Sequence, residues 1–218
     1  AMLPARLSYF LNLHGPAILI DTACSSSLVA IHLACKSIQS GECEMALASG
    51  INLFTFPVSN TIVNAIGIVA SDGKARTFDD SCDGVGQGEG AGAVLLKPLK
   101  QALKDNDHIY AVIKSSASNQ DGKSIGITAP SAAAQEKVLV DVWKKAEIDP
   151  ETIGYIEAHG TATKLGDPTE ISGINRAFKN FTTKKGFCGV GSIKSNIGHT
   201  IGAAGVASVI KVALALEN

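Results

Sequence analysis

The chain has 218 residues, of which 45% are apolar and 18% charged, and its formal net charge is −1. A chain of this length buries about 70% of its unfolded surface, as one large or two small domains. Its near-neutral charge leaves no electrostatic footprint for nucleic acid or an anionic membrane, so neither partner is expected. The function has to be sought in the motifs.

The first elements in the chain place a cysteine between a strand and a helix. The apolar run Ala17–Ile20 predicts a short buried strand, and Ser25–Ser40 predicts a helix that ends at Gly41. The segment Asp21-Thr-Ala-Cys-Ser-Ser-Ser-Leu28 joins them. The free N–H groups and the positive dipole end of the helix favour the thiolate, the reactive form of cysteine. Cys24 is therefore a candidate nucleophile, with a small buried hydrophobic residue as the alternative.

Further along, predicted strands alternate with predicted helices. Strands are expected over 44–54, 92–97, 109–118, 153–157 and 187–193, and helices over 99–105, 131–146, 168–179 and 201–217. Ser131 is the expected N-cap of its helix, and Asp167-Pro168 the expected N-cap and first residue of the next. Segment 58–66 is ambiguous, and 71–89 is a predicted Gly/Asp-rich loop. The alternation indicates an α/β sheet with helices on its faces.

Two of these helices, 25–40 and 201–217, are apolar around most of their circumference. A helix of this kind needs cover on all sides, which predicts an interior layer between two sheets. The stretch 197–216 contains His199 and Lys211 and is expected to be a buried helix, not a membrane span.

Two histidines occupy similar places in the predicted sheet. His159, in Glu157-Ala-His-Gly-Thr-Ala-Thr163, lies just past one strand, and His199, in Lys194-Ser-Asn-Ile-Gly-His199, follows another. Connections at strand ends are where α/β sheets gather reactive side chains. A lone histidine is more often structural, but two at equivalent positions beside glycine indicate a site.

The cysteines form an odd set without a C-x-x-C pair. They are Cys24, Cys35, Cys43, Cys82 and Cys188. This pattern favours a reducing compartment, here expected to be the cytoplasm, over a disulfide framework or a zinc site, and no metal is expected. The first residues show no secretory signal. Cys35 is expected to be a core residue.

Taken together, the motifs resemble those of β-ketoacyl synthases, and most closely the ketosynthase domain of modular polyketide synthases. Asp21–Leu28, Glu157–Thr163 and Lys194–His199 are similar to the three active-site motifs and keep their order. Thr77–Asp79, followed by Gly88–Gly92, is similar to a further stretch. The resemblance covers the whole chain. It implies an α/β, thiolase-like fold of five αβαβα layers, incomplete in this chain.

By this resemblance, residues 1–218 are the central part of one ketosynthase domain, without the N-terminal and C-terminal segments of the family. The second donor of the oxyanion hole would then come from a Gly-rich loop outside this chain. The implied activity is that of an acyltransferase that forms carbon–carbon bonds by decarboxylative Claisen condensation during polyketide chain elongation.

The resemblance also assigns roles to individual residues. Cys24 would carry the acyl chain as a thioester, and His159 and His199 would donate hydrogen bonds to the enolate left by malonyl decarboxylation. Lys194 and Glu170 match the lysine and the carboxylate of the family. They are expected to pair and to orient the histidines, with an ordinary ion pair between two loops as the alternative.

The same resemblance implies that the domain binds no cofactor of its own. Acyl and malonyl thioesters would arrive on the 4'-phosphopantetheine of an acyl carrier protein, and the complete domain would be a homodimer. Thr161 and Thr163 are expected to line the channel for that arm, with turn hydrogen bonds as the alternative. Asn196 is a further channel candidate. Two other functions stay open: a cysteine hydrolase that uses Cys24 with His159 and Asn196, and a non-catalytic scaffold.

Overall fold

The computed structural model describes residues 2–55, 67–126 and 128–218. The ambiguous segment 58–66 lies outside the described residues. The chain divides into two compact units. The first comprises Ala1–Ile51, Ala91–Val112 and Ile201–Glu217, and the second Asn52–Gly90, Ile113–Thr200 and Asn218.

The described residues form helices and strands that alternate singly only between residues 132 and 197. The helices are α1 (Leu3–Leu11), α2 (Ser26–Ser40), α3 (Leu99–Lys104), α4 (Ala132–Ala146), α5 (Gly166–Lys179), α6 (Lys194–Ile197) and α7 (Ala204–Glu217). The strands are β1 (Ala46–Asn52), β2 (Gly90–Leu96), β3 (Tyr155–Glu157) and β4 (Gly189–Gly191). Single 3-10 turns cover Ala23–Ser25, Pro150–Thr152 and Ile201–Ala203. The predicted helices are confirmed, as are the strands expected over 44–54, 92–97, 153–157 and 187–193, with shifted ends.

In the first unit, α2 and α7 pack closely around a small apolar core. The buried core residues are Ile31, Ala48, Ala203 and Val206, and Cys35 packs against them, as expected. The Val206 N–H donates to Ser27 Oγ at 3.0 Å, so the fully buried hydroxyl links the two helices. Gly205 lies against Leu28 with no room for a Cβ atom. The small residue at this position lets the two helices approach each other.

The second unit contains a short parallel pair of strands. Tyr155 lies opposite Gly189 and Glu157 opposite Gly191 in the register of β3 and β4. The Ala158 N–H extends the pairing by donating to the Gly191 carbonyl at 2.8 Å. Parallel strands run in one direction, so their carboxyl ends lie at one edge of the sheet. The loop of His159 and the helix α6 both begin at that edge.

An aromatic cluster holds α4 against α5 in the same unit. The ring of Trp143 lies 4.7 Å from that of Phe178 and 6.0 Å from that of Phe181, measured between centroids. Ser131 caps α4 as predicted, because its Oγ accepts the Ala134 N–H at 3.3 Å. A local hydrogen bond thus fixes the start of α4, and the aromatic contacts determine which face of the helix packs against α5.

Two predicted strands are wrong. Segments 17–20 and 109–118 have no strand structure. Ile18, Leu19, Tyr110 and Val112 are all exposed. An apolar run becomes a strand only when its backbone groups pair with a neighbouring strand, and these two segments pair with no strand in the described part of the chain.

Two predictions about helices also need correction. Helix α5 begins at Gly166 with Leu165 as its N-cap, so Asp167-Pro168 lies inside its first turn. The expected cover on all sides of α2 and α7 is wrong for this chain, because Leu28 and Leu214 each expose 46% of their surface. Only one face of each helix packs into the core of the first unit. Within the described residues, no helix is long and apolar enough to cross a membrane.

Candidate active site

Cys24 lies at the middle of the 3-10 turn that leads into α2, so the predicted helix follows it, but the strand predicted before it is absent. Ala23, which begins the turn, has a left-handed φ of +52°, a conformation that costs energy for a residue with a Cβ atom. The Ser26 hydroxyl holds the turn by donating to the Ala23 carbonyl (2.7 Å) and accepting the Thr22 N–H (2.9 Å). Cys24 is half-buried. Within the first unit, this turn packs against the turn Ile201–Ala203.

The two candidate histidines are neighbours in the second unit. His159 follows the end of β3, and His199 follows the end of α6. Their ring centroids are 5.4 Å apart, and their planes meet at 88°. His199 is buried, whereas His159 is open to solvent on one side. The structure therefore brings together two imidazoles that the sequence separates by forty residues.

Lys194 places a cation beside this pair. Its side chain is buried at 2% exposure, and Nζ donates to the His159 carbonyl oxygen at 2.5 Å and lies 3.4 Å from His159 Nδ1. Although part of the surface of His159 is exposed, its ring is crowded by neighbouring atoms, and this burial, followed by the charge of Lys194, lowers the pKa of His159 to about 4. Burial, Lys194 and His159 lower the pKa of His199 to about 3. Both imidazoles are therefore neutral near pH 7.

Glu170 fixes the backbone of the His159 loop. From the first half of α5, its two carboxylate oxygens accept the N–H groups of His159 (2.7 Å) and Gly160 (2.8 Å). Burial raises the pKa of Glu170, while these two backbone bonds and the charge of Lys194 lower it. The direct pairing of Lys194 and Glu170 stays a prediction.

A second set of backbone bonds fixes His199. Its N–H donates to the Gly86 carbonyl at 2.6 Å, and its own carbonyl accepts the Gly88 N–H at 3.1 Å. A Cβ atom added to Gly88 would overlap the carbonyl oxygen of Ile197, the last residue of α6. Glycine at this position allows the close approach that the two bonds need.

Sequence reasoning missed the part played by Asp167. This carboxylate is 3% exposed, and its oxygens accept the N–H groups of Phe78 (2.7 Å) and Ala162 (3.0 Å). Phe78 and Ala162 both have a left-handed φ of +61°. Asp167 thus stabilises two unfavourable backbone conformations in two different loops. In the sequence, the Asp167-Pro168 pair predicted a helix N-cap, and that signal was misleading.

The expected channel residues make local contacts. The hydroxyls of Thr161 and Thr163 lie 3.0 Å apart, and Thr163 Oγ1 accepts the Gly166 N–H at 3.1 Å. Asn196 is exposed on α6, where its Oδ1 accepts the Ser195 hydroxyl at 3.3 Å. The bond between the Gly166 N–H and Thr163 is a turn hydrogen bond of the kind considered as the alternative for the two threonines. The channel role of all three residues stays a prediction.

Comparison with known proteins identifies the family. Residues 1–102 match the family model "Beta-ketoacyl synthase, N-terminal domain", and residues 110–218 match "Beta-ketoacyl synthase, C-terminal domain". Over all of its length the chain is 51% identical to polyketide synthase PksM of Bacillus subtilis, of which it covers 5%. It is 50% identical to the highly reducing polyketide synthase cnsI of Penicillium expansum, of which it covers 9%.

Solved structures agree with this assignment. The ketosynthase from module 6 of the bacillaene synthase of Bacillus subtilis 168 matches 97% of the chain with a TM-score of 0.95 and 52% identity. The oxazolomycin ketosynthase domain OzmH KS7 of Streptomyces albus JA3453 matches with a TM-score of 0.94 and 43% identity. The chain covers 38% of each of these two solved chains. The chain therefore has the thiolase-like α/β fold and belongs to the β-ketoacyl synthase family, among the ketosynthases of polyketide synthases.

Proposed function

We propose that this chain is part of a ketosynthase domain that lengthens a polyketide by decarboxylative Claisen condensation. The observation that carries the proposal is the pair of neutral imidazoles, His159 and His199, held with their rings 5.4 Å apart beside the buried ammonium of Lys194. Because the chain covers 38% of the solved ketosynthase chains, we propose that it forms the central part of one such domain.

The first proposed step transfers the acyl chain to Cys24. The Cys24 thiolate attacks the thioester carbonyl of an acyl group carried on the 4'-phosphopantetheine of an acyl carrier protein. A new carbon–sulfur bond forms between Cys24 and the acyl carbon, the old one breaks, and the carrier sulfur leaves as a thiolate that takes up a proton from water. Support comes from the strained turn at Ala23, which lies directly before a helix N-terminus.

The second step generates the carbon nucleophile. A malonyl-type thioester on the carrier loses carbon dioxide, and the electron pair of the broken carbon–carbon bond forms an enolate. His159 and His199 each donate an N–H hydrogen bond to the enolate oxygen. Preorganised donors of this kind contribute about 100- to 1000-fold each to the rate. Neutral imidazoles keep one N–H donor each, so the lowered pKa values suit this role.

The third step joins the two groups. The enolate carbon attacks the thioester on Cys24, the carbon–sulfur bond breaks, and a β-ketoacyl chain remains on the carrier. The turn that carries Cys24 packs within its own unit against Ile201–Ala203, and this second turn begins two residues after His199. That arrangement supports joint action of Cys24 and the histidines.

Lys194 and Glu170 are proposed as positioning residues. Lys194 holds the His159 carbonyl and adds to the effect of burial in lowering the pKa values of both imidazoles, and Glu170 holds the N–H groups of the same loop. We propose Thr161, Thr163 and Asn196 as lining for the phosphopantetheine arm. The proposed partners are an acyl carrier protein, acyl and malonyl thioesters and a second copy of the complete domain. No disulfide joins the cysteines in the described segments, and we propose the cytoplasm as the location.

The competing hydrolase would need His159 as a general base oriented by Asn196. A pKa of about 4 makes His159 a weak base at neutral pH. Its Nδ1 faces the Lys194 ammonium, which is a donor and not the amide oxygen that such an arrangement requires. The geometry therefore favours condensation.

The proposal is tested with the complete ketosynthase domain, an acyl-loaded carrier protein and malonyl-loaded carrier protein. Mass spectrometry of the digested domain should show the acyl group on the peptide that contains Cys24. Mass spectrometry of the intact carrier protein should show a β-ketoacyl product longer by two carbons. Cys24→Ala should abolish both signals, and Cys35→Ala, a change at a core cysteine, should retain them. Acyl uptake by the Cys24→Ala domain would refute the assignment. Repeated hydrolysis of a simple thioester without carrier protein would favour the hydrolase.

A further inference from the structure

We infer that Glu157 is a positioning residue for the condensation, because it fixes the start of the short helix that carries Lys194 and leads to His199. The inference rests on the proposed function. Glu157 is the last residue of β3, two residues before His159, and its side chain points to the neighbouring connection and not to the His159 loop.

Helix α6 depends on contacts from outside itself. It has four residues, and its own turn is closed by bonds such as Gly198 N–H to the Lys194 carbonyl (2.9 Å) and Ile197 N–H to the Ile193 carbonyl (3.1 Å). Helix nucleation is unfavourable, so a single turn is not stable alone. The positions of Lys194 at its start and His199 after its end are therefore set by the groups that hold the two ends.

Glu157 supplies the contact at the start. Its Oε1 accepts the Ile193 N–H at 2.6 Å, and its Oε2 accepts the Tyr155 hydroxyl at 2.6 Å. A bond to an ionised acceptor is about twice as strong as a neutral one. Gly191 makes room for this arrangement, because a Cβ atom there would come within 2.6 Å of the Tyr155 oxygen. Glu157, Tyr155 and Gly191 together stabilise the turn between β4 and α6.

The far end of α6 is fixed independently by the bonds between His199 and the Gly86 and Gly88 backbone. Without Glu157, the Ile193 N–H loses its acceptor, and the start of the helix is held by the bond from the Lys194 N–H to Ser192 Oγ at 3.3 Å and by the Lys194 side chain itself. The helix can then pivot about its far end. Such a movement displaces the Lys194 ammonium from the His159 carbonyl and from both imidazoles.

The loss of Glu157 should affect decarboxylation and condensation, and not the transfer of the acyl chain to Cys24. Displacement of Lys194 weakens one cause of the lowered pKa of His159 and His199, so both values should rise. The enolate donors lose their alignment, and a displacement of about 1 Å costs about 100-fold in rate. Acyl transfer to Cys24 involves no enolate, so its rate should change much less.

The test compares four forms of the complete domain: wild type, Glu157→Ala, Glu157→Gln and the matched control Glu151→Ala. Glu151 is a half-buried carboxylate in the same unit that binds Thr182 and Lys184. Each form is assayed for acyl loading of Cys24 and for condensation, and the histidine pKa values are followed by NMR. Thermal melting monitored by Trp143 fluorescence reports folding.

For Glu157→Ala we expect condensation to fall by about 10- to 100-fold, with acyl loading within about threefold of wild type and higher histidine pKa values. Glu157→Gln keeps an oxygen for the Ile193 N–H and should recover most of the condensation rate. Glu151→Ala should match wild type in the ratio of the two rates. If Glu157→Ala does not melt cooperatively, Glu157→Asp, whose shorter side chain does not reach Ile193, takes its place.

An unchanged ratio of condensation to loading in Glu157→Ala, or equal losses in the Ala and Gln variants, would overturn the inference. Absence of condensation in the wild-type domain would instead refute the proposed function, so the two failures are distinguishable.

Discussion

The Lys194 ammonium donates to the carbonyl oxygen of His159 at 2.5 Å and lies 3.4 Å from Nδ1 of the same residue. One cation therefore acts on both the backbone and the ring of a single histidine. The backbone bond orients the loop, and the charge adds to the effect of burial in lowering the pKa of the ring. Lys194 therefore influences both where the His159 ring lies and whether it is protonated.

Lys194→Met should raise the pKa values of His159 and His199 without returning them to the usual 6.5, because burial is the larger cause of both shifts. Condensation should slow, since the His159 carbonyl loses its donor. NMR titration of the imidazoles in the complete domain measures the first effect. Lys137→Met, at an exposed lysine paired with Asp141, is the control. Unchanged midpoints in Lys194→Met would contradict the electrostatic role.

The stability of the fold should depend on pH through His199. Its folded pKa is about 3, against 6.5 when unfolded, so the unfolded chain binds the extra proton between these values. Its contribution to stability should therefore rise with pH across that window, by up to about 1.4 kcal/mol per pH unit, and be complete above pH 6.5.

Denaturant unfolding of the complete domain at several pH values checks this prediction. The raised pKa of Glu170 acts in the opposite direction, so the informative quantity is the difference between wild type and His199→Gln. That difference should grow as the pH rises through the window. For the control His14→Gln, at an exposed histidine, the free energy of unfolding should have the same pH dependence as that of wild type. Parallel curves for wild type and His199→Gln would count against a neutral, buried His199.

Asp167→Asn should destabilise the protein by about 1–3 kcal/mol, because one of the two N–H groups that Asp167 satisfies would face an amide NH₂. The Phe78 and Ala162 backbones would lose support for their left-handed conformations. Trp143, the single tryptophan, reports unfolding of the second unit by fluorescence. Asp141→Asn, at an exposed helix position, should change the stability by less than about 0.5 kcal/mol. Equal midpoints for the two variants would show that Asp167 has no special role.

Gly88→Ala should slow condensation by about 10- to 100-fold, because the added Cβ displaces the end of α6 and with it His199. Acyl loading of Cys24 should change less. Gly154→Ala is the matched control, since a Cβ atom at Gly154 meets open space in the same unit. The two rates are measured separately on the complete domain. A Gly88→Ala domain that condenses at the rate of the Gly154→Ala domain would exclude a positioning role for the segment.

The sequence predicted the helices well because their signals are local. Helix α2 ends at Gly41, which adopts the left-handed φ of +78° that favours glycine, and α4 begins at its predicted cap, Ser131. Strands depend on partners elsewhere in the chain. Ala17–Ile20 has the composition of a strand but no described partner, so the same reasoning failed there.

The site follows a similar division. Cys24, His159 and His199 were predicted because their types and motifs carry recognisable chemistry, and Lys194 and Glu170 were predicted through the family resemblance. Asp167 and Glu157 were not, because each acts by accepting a backbone N–H from a distant residue: Phe78, 89 positions away, and Ile193, 36 positions away. Every residue type except proline can offer a backbone N–H, so such bonds leave no mark on the sequence. They become visible only in three dimensions.

The most direct test of the account is the release of carbon dioxide from malonyl-loaded carrier protein by the complete domain and by its His159→Ala and His199→Ala forms. The account predicts that each substitution lowers this rate by about 100- to 1000-fold, while acyl loading of Cys24 continues. If either variant releases carbon dioxide at the wild-type rate, the two imidazoles are not the enolate donors.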